Sequence, residues 1–348
     1  MRIVMEASSR IEGGLAGAVI GDAMGTATET MTRRRVKETF GRLETIVAAD
    51  HSPFSHGRPA GHVSDDSSQM LLICAKYVEK RSIAPGDVVD ILLKWSEDEE
   101  MFSRNAGPTT RAAIQRLRAG EDPAIVGRGD VYYGTGVSNG AAMKAAPAGW
   151  FNPGDVEAAV RDAAAIALPT HATQIAIAGA GAVAAAIATA MTGGPLDAVI
   201  EAALKGARDG EALGLTLGRE AAGATVYRRM REAVRIGSGA PDVWSAMDEI
   251  SDLVGCGLPA NEAVPAALGM LAAAKGDVRS TIVGAVNMGN DADTVSTIAG
   301  SIAGTLAGIS AIPQDWYRTV NTVNDLKLGS VAASLANALN EKQGGARR

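Results

Sequence analysis

The chain has 348 residues, 65 of them alanine and 41 glycine, with 47% hydrophobic, 21% charged and only 4% aromatic residues. This balance is globular and excludes a disordered tail, a collagen or a charge-rich coiled coil. The formal net charge of −6 repels nucleic acid, and the two cysteines, Cys74 and Cys256, lack the spacing of a zinc site or a disulfide framework, which fits a reducing cytoplasm.

With bulky residues scarce, helices that approach closely through small side chains are the expected architecture, one all-helical domain. Residues 11–25, IEGGLAGAVIGDAMG, set Gly13, Gly17, Gly21 and Gly25 four apart on one helical face. A helix is expected over 67–80, where Met70, Leu71, Cys74, Tyr77 and Val78 share a face, and others over 87–95, 109–118, 155–168, 197–208 and 241–254. Pro53 and Pro59 flank a loop with His51, His56 and His62, while 127–140 is a Gly-rich loop carrying Tyr132 and Tyr133.

From Ala163 to Leu196 no charged residue occurs. That length would permit a membrane span, but Pro169, His171 and the alanine and glycine content make a buried core helix the expectation. GAGAV near residue 181 is a looser glycine ridge, and TVSTIAGSIAGTLAG, 294–308, adds Gly300, Gly304 and Gly308. Glycine costs about 1 kcal/mol relative to alanine inside a helix, so the ridges imply close packing in return. No linker divides the chain, which predicts one domain over 1–340 and a loose tail over 341–348.

Two oxygen-rich clusters, Ser64-Asp65-Asp66 and Asp291-Ala292-Asp293-Thr294, each precede a helix. Helix capping accounts for one such residue apiece. Doubled carboxylates add a repulsion that a cap does not need and that a bound cation would remove. Four carboxylates and two hydroxyls form an all-oxygen set suited to Mg²⁺ or Mn²⁺, and two such ions a few ångströms apart make a hydrolytic device.

In order along the chain stand GAVIGDAMGTATE (17–29), SDDSSQM (64–70), GPTTRAA (107–113), SNGAAMKAAP (138–147), Thr170-His171 and NMGNDADTVSTIAGSIAG (287–304). Together these resemble the ADP-ribosylglycohydrolases nearly end to end. The resemblance implies an all-α fold and a dinuclear Mg²⁺ or Mn²⁺ centre, with Ser64, Asp65, Asp66, Asp291, Asp293 and Thr294 as ligands. It implies Glu29 and Asp66 as the residues that orient or deprotonate the attacking water. The loop Gly136-Val137-Ser138-Asn139-Gly140-Ala141 would meet substrate oxygens through its backbone, ahead of a helix starting near Ala141, with His171 beside the substrate. The implied partner is a small-molecule or protein-linked ribosyl substrate, with no role for nucleic acid or membrane.

Three positions depart from the family pattern. Ser64 stands where threonine is common, Asn290 replaces the second glycine of GGD, and Asn105, read here as a substrate-side residue, falls where arginine-specific relatives carry an aspartate. The leading expectation is hydrolysis of an ADP-ribosylated protein or ADP-ribose conjugate. Hydrolysis of a small N-riboside, or a structural or ADP-ribose-binding role without turnover, are the alternatives.

Overall fold

A computed structural model describes residues 2–131 and 135–345, and every extended regular element among them is a helix. The helices are α1 Arg2–Gly25, α2 Arg33–Phe40, α3 Asp65–Lys80, α4 Pro85–Trp95, α5 Glu99–Asn105, α6 Pro108–Arg118, α7 Pro123–Val126, α8 Ala146–Trp150 and α9 Val156–Ala167. They continue as α10 Gln174–Ala190, α11 Leu196–Leu217, α12 Val226–Gly239, α13 Val243–Leu253, α14 Ala260–Ala273, α15 Val278–Val286, α16 Ala292–Ala307, α17 Gln314–Val323 and α18 Leu328–Gly345. Two isolated bridges, Ser138 with Pro259 and Thr173 with Arg219, are the only β-type pairings among the described residues.

The glycine ridges join the two ends of the chain. A Cβ on Gly17 would collide with the backbone of Gly300, one on Gly21 with Ser296, one on Gly25 with Asp293, and one on Gly13 with Gly304 and Gly308. α1 and α16 therefore meet backbone to backbone, closer than ordinary side chains permit. Gly181 on α10 meets Gly206 and Gly210 on α11 in the same manner, and Gly237 on α12 meets Gly269 on α14. Arg10 crosses these layers, donating from Nη1 to the carbonyls of Leu306 at 2.8 Å and Thr305 and Ala190 at 3.3 Å. A cation thus satisfies the carbonyl ends of α10 and α16.

Every residue of α10 except Thr189 is buried, and no helix among the described residues is long and apolar enough to cross a membrane. The uncharged stretch is a core helix, interrupted before Gln174 by the turn that carries Pro169 and His171. α11 runs nine residues past the expected end at Arg208 because Gly210 and Gly214 are contact surfaces for Ile177 and Gln174 rather than helix breaks.

α18 continues to Gly345, with residues 341–344 exposed on it. Glu341 pairs with Arg81, and Lys342 donates to Asn152 Oδ1 at 2.8 Å, so side-chain contacts hold the last turns in place. The Gly-rich segment leads not into a helix starting near Ala141 but into a single 3₁₀ turn, Asn139–Ala141, with α8 starting at Ala146. Tyr132 and Tyr133 lie outside the described residues.

Candidate active site

The site is built where the carboxyl end of α1 meets the amino ends of α3 and α16. Asp22, fully buried near the end of α1, accepts from the backbone N–H of Ser64 and of Ser67, each at 3.1 Å. Ser64 Oγ accepts from the Asp66 N–H at 3.2 Å. Ser64 and Asp22 thus serve the orphan donors that begin α3, and Asp65 and Asp66 are left with other work.

Past α1 the chain turns at Thr30, whose φ of 64° lies in the left-handed region. Thr30 donates its N–H to the Asn290 carbonyl at 2.6 Å and Asn290 donates to that of Met31 at 2.8 Å. This clip brings Glu29 beside the start of α16, where the carboxylates of Glu29, Asp291 and Asp293 lie within 4.8 Å of one another. Thr294 Oγ1 donates to Asp66 Oδ2 at 3.4 Å, so the two acidic clusters, remote in sequence, share one site. Asp66 Oδ1 and Asp293 Oδ1 are buried without a hydrogen-bond partner.

Electrostatics reflect this crowding. Burial pushes the carboxyl of Asp291 up to about 6, that of Asp65 to about 7 and that of Glu29 to about 9, with neighbouring carboxylates adding to the shift at Asp65 and Glu29. Asp66 and Asp293 are raised well above the usual range by burial first and then by the surrounding negative charge. Buried oxygens that lack donors and hold protons against their nature are what a hard divalent cation relieves, and the all-oxygen set fits Mg²⁺ or Mn²⁺.

The Gly-rich loop adjoins this cluster. Asn139 donates its side-chain N–H to Asp291 Oδ2, and its backbone N–H to the Leu258 carbonyl at 2.9 Å. Gly136, at φ 85°, donates to Thr109 Oγ1 at 3.3 Å while its carbonyl accepts from Thr173 Oγ1 at 2.6 Å. Ser138 Oγ is 2.9 Å from His171 Nε2, and Thr170 Oγ1 is 2.7 Å from His171 Nδ1. A Cβ on Gly140 would come within 2.9 Å of the same imidazole, which is why the position is bare. The Ala260 N–H donates to the Val137 carbonyl at 2.9 Å. Ala141 is fully buried.

A profile of the ADP-ribosylglycohydrolases aligns with residues 4–347 of the chain. The chain belongs to the ADP-ribosylglycohydrolase family. It is a hydrolase acting on glycosyl bonds. The chain is 30% identical to the uncharacterized protein YegU of Escherichia coli K12 over 94% of its length and 97% of that relative. It is 23% identical to the human ADP-ribosylhydrolase ARH3 over 89% of each chain. A solved ADP-ribosylglycohydrolase-related protein complex superposes with a TM-score of 0.69 and 24% identity over 96% of this chain and 99% of that one, which establishes the shared fold.

Of the residues expected in this ADP-ribosylglycohydrolase's site, Asn105 has Arg58 as its side-chain partner. Asn105 ends α5 half-buried, with Oδ1 accepting from Arg58 Nη1 at 3.2 Å. Two fully buried charges escaped the sequence reading, Asp22 and Lys144. Each is the lone charge in an apolar run, Asp22 between Glu12 and Glu29 and Lys144 between Asp130 and Asp155, and that isolation was the available signal.

Proposed function

We propose that this glycosyl-bond hydrolase cleaves a ribosyl linkage at its anomeric carbon using two divalent cations, Mg²⁺ or Mn²⁺. Ser64, Asp65, Asp66, Asp291, Asp293 and Thr294 would hold the ions. The observation that carries the reading is the union of both acidic clusters through Thr294 and Asp66, with two buried carboxylate oxygens left unpartnered. When bound, the cations supply Lewis acidity toward a ribose oxygen and lower the pKa of a coordinated water toward neutrality.

The chain's own residues do the rest. Glu29, whose Oε2 accepts from Ser52 Oγ at 3.5 Å, orients the attacking water and takes its proton together with Asp66. Negative charge around the ribose favours the oxocarbenium-like transition state as the glycosidic bond breaks. Asn139 fixes Asp291 from the substrate loop, so one hydrogen bond couples the geometry of the centre to the loop whose backbone would meet the substrate's oxygens. His171, kept neutral by burial, shapes that loop through Ser138.

The substrate we favour is an ADP-ribosylated protein or ADP-ribose conjugate. One feature supports a small N-riboside as the second reading and weighs against an arginine leaving group. Asn105, which stands where arginine-specific relatives carry an aspartate, accepts from Arg58 Nη1 at 3.2 Å, and the nearby acid Glu100 is already paired with Arg58 at 3.5 Å, so neither is free to meet a departing guanidinium.

Chelation should abolish turnover and added Mg²⁺ or Mn²⁺ restore it, whereas full activity of a metal-free preparation overturns the reading. A panel of arginine- and serine-linked ADP-ribosyl proteins, ADP-ribose conjugates and free nucleosides tests the substrate. Turnover confined to nucleosides rejects the favoured class.

A further inference from the structure

Lys144 is fully buried, and its ammonium donates to Gln69 Oε1 at 2.7 Å. Gln69 is itself fully buried on α3, four residues after Asp65 and three after Asp66, and so shares their helical face. An ammonium withdrawn from water needs opposite charge, and a neutral carboxamide supplies none. Among the described residues its hydrogen bond goes to this carboxamide and not to a carboxylate, so it is not half of a closed ion pair. The negative charge it answers to is that of Asp65 and Asp66, which favour the ammonium while burial draws its pKa down to about 8.

We infer that Lys144 is a positioning residue, a built-in counter-cation that steadies the acidic centre without its ions and, by the same charge, weakens their binding. The inference rests on the carboxylate cluster being a divalent-cation centre. Asp22, Glu29, Asp65, Asp66, Asp291 and Asp293 bring six carboxylates together, and two divalent ions with one ammonium bring five positive charges to them. The two ions alone leave two negative charges uncompensated, and the ammonium offsets one of them. A fixed cation competes with mobile ones through space, so its removal makes the potential at the carboxylates more negative. Lys144→Met keeps most of the buried hydrocarbon and deletes the charge, whereas Lys144→Arg keeps the charge.

The test is calorimetric titration of full-length wild type and both variants with Mn²⁺, together with melting temperatures in chelator and in Mn²⁺. Lys144→Met should bind Mn²⁺ about tenfold or more tightly. It should melt lower than wild type in chelator and gain more from the ion, while Lys144→Arg stays close to wild type in affinity. A lysine that merely packs would leave affinity unchanged or reduce it, and that result in folded Lys144→Met overturns the inference alone. Failure of wild type to bind Mn²⁺ overturns the centre itself and the inference with it. Should Lys144→Met not fold, Lys144→Gln, which can still hydrogen-bond Gln69, carries the same expectation.

Discussion

Asp291 occupies the cap position of α16 and yet makes no capping hydrogen bond, its carboxylate being taken by Asn139. At α3 the cap is Ser64, with Asp22 reaching across from α1. Capping therefore explains Ser64, and it leaves Asp65, Asp66, Asp291 and Asp293 unexplained by local structure. Their presence costs the metal-free protein free energy, because each buried carboxyl must take a proton at a pH where the unfolded chain has released it. Asp293→Asn removes that burden without changing shape. It should raise metal-free stability by roughly 1–3 kcal/mol, while lowering turnover and the stabilisation gained from Mg²⁺. Denaturant melts with and without chelator check both signs, and a variant less stable than wild type in chelator contradicts the account.

Residue by residue, legibility followed chemistry that needs more than one group. Paired carboxylates in two places announced a shared task, because repetition exceeds what a cap requires. Asp22 and Lys144 gave no such repetition. A lone charge in an apolar run reads equally well as a surface residue until the fold shows that no surface is there.

Among the elements, the glycine ridges were legible as contact surfaces, and the residues they touch were not. The pairing of Gly17 with Gly300 and of Gly21 with Ser296 carries α1 past α16 at backbone distance and sets Gly25 against Asp293. The packing thus positions both the end of α1 that leads to Glu29 and the first turn of α16. α14 escaped the sequence reading because Pro265 lies inside it. Its missing N–H frees the Asn261 carbonyl, and Arg229 Nη1 from α12 fills that vacancy at 3.1 Å, a tertiary repair that no local pattern announces. Gly21→Leu should accordingly cost about 3 kcal/mol or more of stability through overpacking. Divalent affinity should fall with it, because α16 cannot move away from α1 without displacing Asp293. A folded Gly21→Leu variant that binds Mg²⁺ as wild type does would make the ridges packing alone.

For the whole molecule, the buried acids make stability depend on pH in a direction opposite to that of paired surface carboxylates. Asp291, Asp65 and Glu29 titrate in the fold at about 6, 7 and 9, above the ordinary values of 3.8, 3.8 and 4.5. Well below pH 4, under the unfolded values, the folded and unfolded chains are both protonated at these groups, and their contribution is fully present. Above it the unfolded chain gives up protons that the fold retains, so each such group costs about 1.4 kcal/mol per pH unit until its folded pKa is passed. The losses accumulate from about pH 4 to about pH 9, and the group raised furthest governs the upper part of that window. Divalent cations remove the penalty by replacing the retained protons, so the gap between the Mg²⁺-loaded and chelated proteins should widen as pH rises from 5 to 8. Chemical denaturation at those two pH values, in Mg²⁺ and in chelator, measures the gap directly. A chelated protein whose stability is flat or rises over the interval, with no widening in Mg²⁺, would show that the carboxylates are not held together in the metal-free fold.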